Sequence, residues 1–279
     1  MRGRAGIARS RRRDVALAVA VLFALPWLTG CGAPRSSATR VAYARDHAQQ
    51  HFGDCRAPSG CTQIELRWPE ITAAPTEAAR ESLTRFIRSV LLQPYEGGTP
   101  LSSTDSVMAQ FIEAYRTSVT DFPEGGGIPW RFQRRIEVLG DTLGVLSLAV
   151  NESAFTGGAH PNSTVRFTNF DTQTGRVLRR DDLLRPGTRE TLDSLGERAF
   201  RRVRRLRPEE DLVAAGYWFK GGRFHLNDNM AVTPSGLLFC FNDYEVGPHV
   251  LGATELTLLW KNVKPLIRPG GRLGARVRH

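Results

Sequence analysis

From Trp130 to Leu178 the chain alternates apolar and polar residues with a period of two, and two clusters of turn-forming residues interrupt the alternation. No other feature restricts the fold as much. A period of two puts successive side chains on opposite faces of an extended strand, which no helix can reconcile with a single buried face. Arg131 to Leu139 and Leu143 to Phe155 flank Gly140-Asp141-Thr142, while Thr164 to Phe170 and Arg176 to Leu178 flank Asp171-Thr-Gln-Thr-Gly175. The spacing predicts two hairpins of one antiparallel sheet.

A sheet with one apolar face needs a covering layer. Two upstream segments supply it. Ala79, Leu83, Phe86, Ile87, Val90 and Leu91 fall on one helical stripe that follows Pro75 and ends before Pro94. Val107, Phe111, Ile112, Tyr115 and Val119 form a second stripe, capped by Ser102 or Ser103 and stopped near Pro123 and Gly125-Gly126-Gly127. Thr62 to Trp68 reads as a strand ended by Pro69. Arg189 to Leu206 reads as a third helix with Leu192, Leu195, Ala199, Phe200, Val203 and Leu206 inward, its Arg201, Arg202, Arg204 and Arg205 read as a solvated face. Asn229 to Pro234, Gly236 to Phe241 and Thr254 to Trp260 read as three closing strands, with Thr233-Pro-Ser-Gly236 a type I or II turn. The class is α+β: antiparallel sheets with packed helices in two small subdomains, residues 61–178 and 179–262.

The two ends follow other rules. Arg2, Arg4, Arg9, Arg11, Arg12 and Arg13 precede an apolar run from Val15 to Leu28, too short for the roughly 20 residues of a membrane-spanning helix. Residues 1–30 therefore read as an export signal. Leu28-Thr29-Gly30-Cys31 resembles the lipobox of bacterial lipoproteins, which makes Cys31 the lipidation site and the membrane a partner through the lipid. Gly32, in place of Asp, favours the outer membrane facing the periplasm. Residues 31–60 read as a tether carrying a Cys55–Cys61 disulfide, since Pro and Gly turn the intervening loop back and an exported chain meets an oxidising compartment. Cys240, inside Leu237-Leu-Phe-Cys-Phe241, reads as a buried free thiol. Residues 263–279, basic and rich in Gly and Arg, read as a flexible tail.

Charge excludes one class of partner. Of 38 lysines and arginines, six precede Cys31 and six follow Trp260 in a stretch without acid, so residues 31–260 hold 26 basic and 27 acidic groups. The body is close to neutral, and the sequence offers no nucleic-acid surface.

Two segments carry the chemistry-bearing residues. In Phe155-Thr-Gly-Gly-Ala-His-Pro-Asn162, Gly157 and Gly158 free the backbone beside His160, for a ligand or for a turn. In Phe241-Asn-Asp-Tyr-Glu-Val-Gly-Pro-His-Val-Leu-Gly252, Asp243, Tyr244, Glu245 and His249 share a loop. Metal-ligand spacing is absent: there is no His-Glu-x-x-His, and the close pair His47 and His51 sits near the tether and reads as one helix face. No Gly-x-Ser-x-Gly is present.

These segments, with Glu152 to Asn162, Phe167 to Arg176, Asp181-Asp-Leu-Leu184 and Leu238 to His249 followed by Gly252, resemble the paired extracytoplasmic domains of the PdaC/RsiV-like family over residues 61–260. The resemblance implies a first half like the domain that precedes the deacetylase domain of PdaC. It implies a second half like the ligand-binding region of the anti-sigma factor RsiV, whose extracellular part binds lysozyme. The chain departs from both in having no deacetylase domain and a lipoprotein signal in place of a membrane-spanning helix, so neither activity is carried over.

The expectation is a non-enzymatic envelope lipoprotein that binds or senses a lysozyme-like protein or peptidoglycan, without cofactor or bound metal. Gly157, Gly158, His160, Asn162, Asp243, Tyr244, Glu245 and His249 are its candidate ligand contacts, brought together on one surface. The same residues can instead be packing devices: Gly247-Pro248 shaping a turn, Tyr244 burying a ring and Asn242 satisfying backbone groups. The alternatives are a metal-assisted wall hydrolase or deacetylase-like enzyme using His160, His249 and Asp243 or Glu245, and a purely structural lipoprotein.

Overall fold

The computed structural model describes residues 39–57, 60–123 and 127–274. The signal segment, Cys31 and residues 275–279 lie outside the described residues. No helix among those described is long and apolar enough to cross a membrane.

The strands form two sheets. The first has the order β1 (Ala42–Phe52), β2 (Thr62–Ala73), β3 (Arg131–Thr142), β4 (Val145–Phe155), β5 (Asn162–Asp171), β6 (Val177–Leu178). All neighbours are antiparallel except β2 and β3, which run parallel from Gln63↔Arg131 to Arg67↔Arg135. A parallel pair needs a long crossover, and α1 (Glu77–Leu91) and α2 (Thr104–Asp121) provide it. Both begin at the caps their sequences offer, Thr76 accepting from Ala79 N–H and Ser103 from Ser106 N–H. Their apolar stripes cover one face of the sheet, where Leu83, Ile87, Phe111 and Ile112 meet Ile64, Leu66, Phe132, Ile136 and Leu148. Full burial of each such side chain contributes about 1.5–3 kcal/mol.

The second sheet is antiparallel, in the order β7 (Met230–Thr233), β8 (Gly236–Phe241), β9 (Thr254–Leu259). Short α3 (Arg180–Leu183) leads into α4 (Arg189–Arg204), which packs on β9, and α5 (Trp260–Val263) follows β9. Phe200 of α4 is fully buried and meets the rings of Tyr217, Phe219, Phe224 and Phe241.

The sheets join through side-chain amides. β5 pairs with β6 only at Asn169 and Phe170, so most of its outer edge lacks a neighbouring strand. Asn242 Oδ1 accepts from Val165 N–H at 2.6 Å, Asn229 Oδ1 accepts from Phe167 N–H at 2.8 Å, and both amide nitrogens donate to Val165 O. Deeper in, Asn169 Oδ1 accepts from Ser147 Oγ and Val232 N–H, and Asn169 Nδ2 donates to Met230 O, all buried. An uncovered strand edge is thereby capped from within the molecule.

Several expectations need correction. The tether of residues 31–60 contains β1, an 11-residue strand, so His47 and His51 belong to an edge strand and not to a helix. Pro69 does not end β2, which continues to Ala73. In the β2 ladder Gln63 N–H donates to Trp130 O, so odd residues face β3. Pro69 thus turns its missing donor to the side where β3 has already parted from β2. The β3–β4 turn is Leu143-Gly144, both at positive φ, while Gly140 sits at a bulge in β3. The flexible tail of residues 263–279 is packed as far as Gly274. Leu266, Ile267 and Leu273 are buried, Leu184 bridges to Ile267, and Arg272 bonds Asp171. With Val263, four apolar side chains sufficed, because they share one core.

Candidate functional site

The β4–β5 turn and the loop after β8 meet, each positioned by its own backbone. Gly157, at φ +91°, lets the turn double back beside Trp130. It presents His160 next to the second loop, whose shape is fixed by Glu245: Oε2 accepts from Asn242 N–H at 2.8 Å, and Oε1 accepts from Asn227 Nδ2 at 2.7 Å. This closes a short turn that holds Tyr244 at φ +63°. A non-glycine residue there is strained, and such strain persists only where its surroundings impose it.

The outcome is a cluster of three rings, in which Tyr244 lies beside the histidine pair, its centroid 6.3 Å from that of His160. His160 and His249 stack with centroids 3.7 Å apart and planes 16° from parallel. Tyr244 stacks on His249 at 5.5 Å and 21°. His160 Nδ1 lies 3.3 Å from Pro161 O, which as an acceptor places the proton on Nδ1 and leaves Nε2 to accept from Tyr244 Oη at 3.3 Å. Asp243 Oδ2 lies 3.3 Å from His249 Nδ1. Tyr244 is 55% exposed, so the reading in which it buries its ring does not hold, whereas Asn242 does satisfy backbone groups. Trp218 N–H donates to Val246 O at 3.0 Å, adding a half-exposed indole beside the loop, and Val250 is open to solvent.

Of the sequence candidates, His160, Asp243, Tyr244 and His249 come together. Glu245 is a loop brace, Gly157 shapes the turn, Gly158 faces open space, and Asn162 opens β5 opposite Ala154. Among the described residues no three His, Cys, Asp or Glu side chains converge as metal ligands, and no serine, threonine or cysteine is hydrogen-bonded to a histidine. Cys240 is buried, and burial pushes its thiol up to about 12, with Glu255, Glu245 and Asp243 adding to the shift. Such a thiol is a poor nucleophile. The arrangement offers ring faces, a hydroxyl and a carboxylate, which suits recognition.

A larger opening was not legible in the sequence. Where β2 and β3 part beyond Arg67 and Arg135, a cleft of 750 Å³ is lined by Tyr43, His47, Arg67, Trp68, Arg135 and Glu137, among others. Its residues come from three strands and share no motif; only the early end of a parallel ladder creates it.

Comparison with known proteins agrees with this architecture. The family described as Deacetylase PdaC matches residues 56–163, and the family described as Protein of unknown function (DUF3298) matches residues 181–261. No curated protein matches the chain. A crystal structure of a DUF3298 family member from Bacteroides fragilis superimposes with a TM-score of 0.67 at 16% identity, covering 85% of this chain and 97% of that one. One from Pseudomonas aeruginosa PAO1 gives 0.60 at 18% identity, covering 84% and 96%. At such identities the likeness concerns the fold. The two segment matches support a pair of domains, one matching the PdaC model over residues 56–163 and one matching the DUF3298 model over residues 181–261, and the neighbours agree with them in fold.

Proposed function

We propose that the protein is a lipid-anchored binding module of the bacterial envelope, tethered through Cys31 to the outer membrane and facing the periplasm, and that it performs no bond-making chemistry. The observation that carries this reading is the cluster of exposed Tyr244 with half-buried His249 and His160, its tyrosine held in a strained turn by Asn242 and Glu245. Flat ring faces beside a carboxylate match the C–H faces and hydroxyls of a pyranose, so peptidoglycan is the favoured ligand. A lysozyme-like protein is the second reading, favoured by the exposed Trp218 and Val250 beside the ring cluster. A metal-assisted hydrolase draws no support from a histidine pair whose rings stack face to face without a third converging ligand.

The test is co-sedimentation of the unlipidated chain from residue 32 onward with purified sacculi, and capture on immobilised lysozyme. Tyr244→Ala and His249→Ala should each weaken binding at least tenfold, in line with removal of an aromatic anchor costing about 2 kcal/mol or more. Trp68→Ala, in the distant cleft, should leave it unchanged. Equal binding by all three variants, or release of acetate or new reducing ends from the sacculi, would remove the proposal.

A further inference from the structure

The free edge of β9 meets α4 in a pocket of 340 Å³ lined by Leu195, Arg198, Arg202, Thr257, Leu259 and Lys261, with Asn262 at its rim. Three lining residues are cationic and none is acidic. Arg198 and Arg202 stand one helical turn apart on α4, and Lys261 projects from α5. Among the described residues none of the three cations makes a hydrogen bond or an ion pair, although their neighbours Arg201 and Arg204 are fully engaged with Glu197 and with the carbonyls of Leu251 and Gly252. Glu255 stands beyond Thr257 on the same strand and outside the lining.

A second observation points the same way. Trp260 N–H donates to Ser235 O across the β8–β9 ladder, and that ladder runs without a bulge from Gly236↔Leu259 to Phe241↔Thr254. Alternation therefore turns the backbone N–H groups of Thr257 and Leu259 away from β8, out of the sheet edge and toward the pocket. Outward amides at a sheet edge make a concavity for an anion. The apolar part is open as well: Leu259 is 43% exposed, and Leu195 lines the pocket with it.

We infer that this pocket binds the phosphate headgroup of an anionic phospholipid, with Leu259 and Leu195 against the root of the acyl chains. Unpartnered cations and edge amides call for an oxyanion. The bordering apolar side chains select a lipid over a fully solvated phosphate or an acidic protein segment. Bound this way, the second domain lies on the membrane surface independently of any lipid on Cys31, and the ring cluster of the proposed ligand surface is a separate site.

Flotation of the unlipidated chain from residue 32 onward tests the inference, since both cores close between Val41 and Leu273. The chain should float with vesicles of equal parts phosphatidylglycerol and phosphatidylcholine and stay behind with phosphatidylcholine alone. A basic residue near an anionic surface is worth about 1 kcal/mol, or about fivefold in binding. The triple variant R198Q/R202Q/K261Q should therefore lose about 100-fold. Arg223→Gln, an exposed arginine elsewhere, should lose at most the fivefold of one charge, and Tyr244→Ala should change nothing. Leu259→Ser should weaken vesicle binding without altering the response to inorganic phosphate. Flotation that survives the triple variant, absence of flotation, or binding of inorganic phosphate without binding of vesicles would each overturn it.

Discussion

At the scale of single residues, the most constrained side chain is Arg134. It lies on the covered face of β3 with only 2% of its side chain exposed, where burial pushes its pKa down and Glu152 pushes it up. It stays charged because its Nη1 donates to the carbonyls of Val90 and Gln93, the loose end of α1, while Nε meets Glu152. One residue thus fixes a helix end to a strand. Arg134→Ala strips these carbonyls and leaves Glu152 only its looser ion pair with Arg166 at 3.7 Å, which should cost about 1–3 kcal/mol in urea unfolding. Alternation alone marks position 134 as inward, but which inward position accepts an arginine depends on where α1 ends. Cys240 gives a prediction in pH. Its thiol is neutral in the fold up to about 12, whereas in the unfolded chain it ionises near 8.5. Its contribution should be intact below that value and decline between about pH 9 and 12. Cys240→Ser should flatten the alkaline fall in melting temperature; an unchanged alkaline limb would assign that fall to other groups.

At the scale of elements, the β1–β2 hairpin is closed at its tip by the Cys55–Cys61 disulfide. The loop is short, so chain-entropy arguments give about 2 kcal/mol for the bond. Reduction, or Cys55→Ser with Cys61→Ser, should lower stability by that amount and speed amide exchange in β1 first, as read by mass spectrometry, because β1 is paired on one side only. The strand escaped sequence reading for a physical reason. As an edge it buries little: Tyr43, Arg45 and Gln49 are exposed, and its polar composition mimics a linker. The hairpins from β3 to β6 were legible because strands covered on one face must alternate. α1 and α2 were legible because their caps and stripes coincide. The arginines of α4 divide in a way no charge count reveals, since Arg204 clamps the loop after the ring cluster through Leu251, Gly252 and Thr254. The ring cluster itself was half legible: both loops stood out by their glycines and histidines, but the meeting of the rings depends on how the second sheet docks on the first.

At the scale of the whole molecule, two cores are joined by amide side chains that act as substitute backbone. Asn229 and Asn242 complete the β5 edge, and Ser147 with Asn169 seals the interior side. Removing one partner of a buried hydrogen bond costs about 1–3 kcal/mol, so N229A/N242A should lose about 2–6 kcal/mol. Followed by far-UV circular dichroism and tryptophan fluorescence together, the parent should unfold in one transition and the double variant in two. Coincident transitions in both proteins would show that the amides do not couple the domains.

The parallel junction of β2 and β3 also sets a timetable. Strands β3 to β6 are joined in sequence order by short turns and need only local encounters, which close quickly. β2 has to wait until two helices have been laid down before Thr62 can meet Trp130, 68 positions away. In a chain synthesised from its N-terminus, the segment that emerges first is therefore the one that takes its place in the sheet last. For as long as β3 remains unmade, β2 has a partner on one side only.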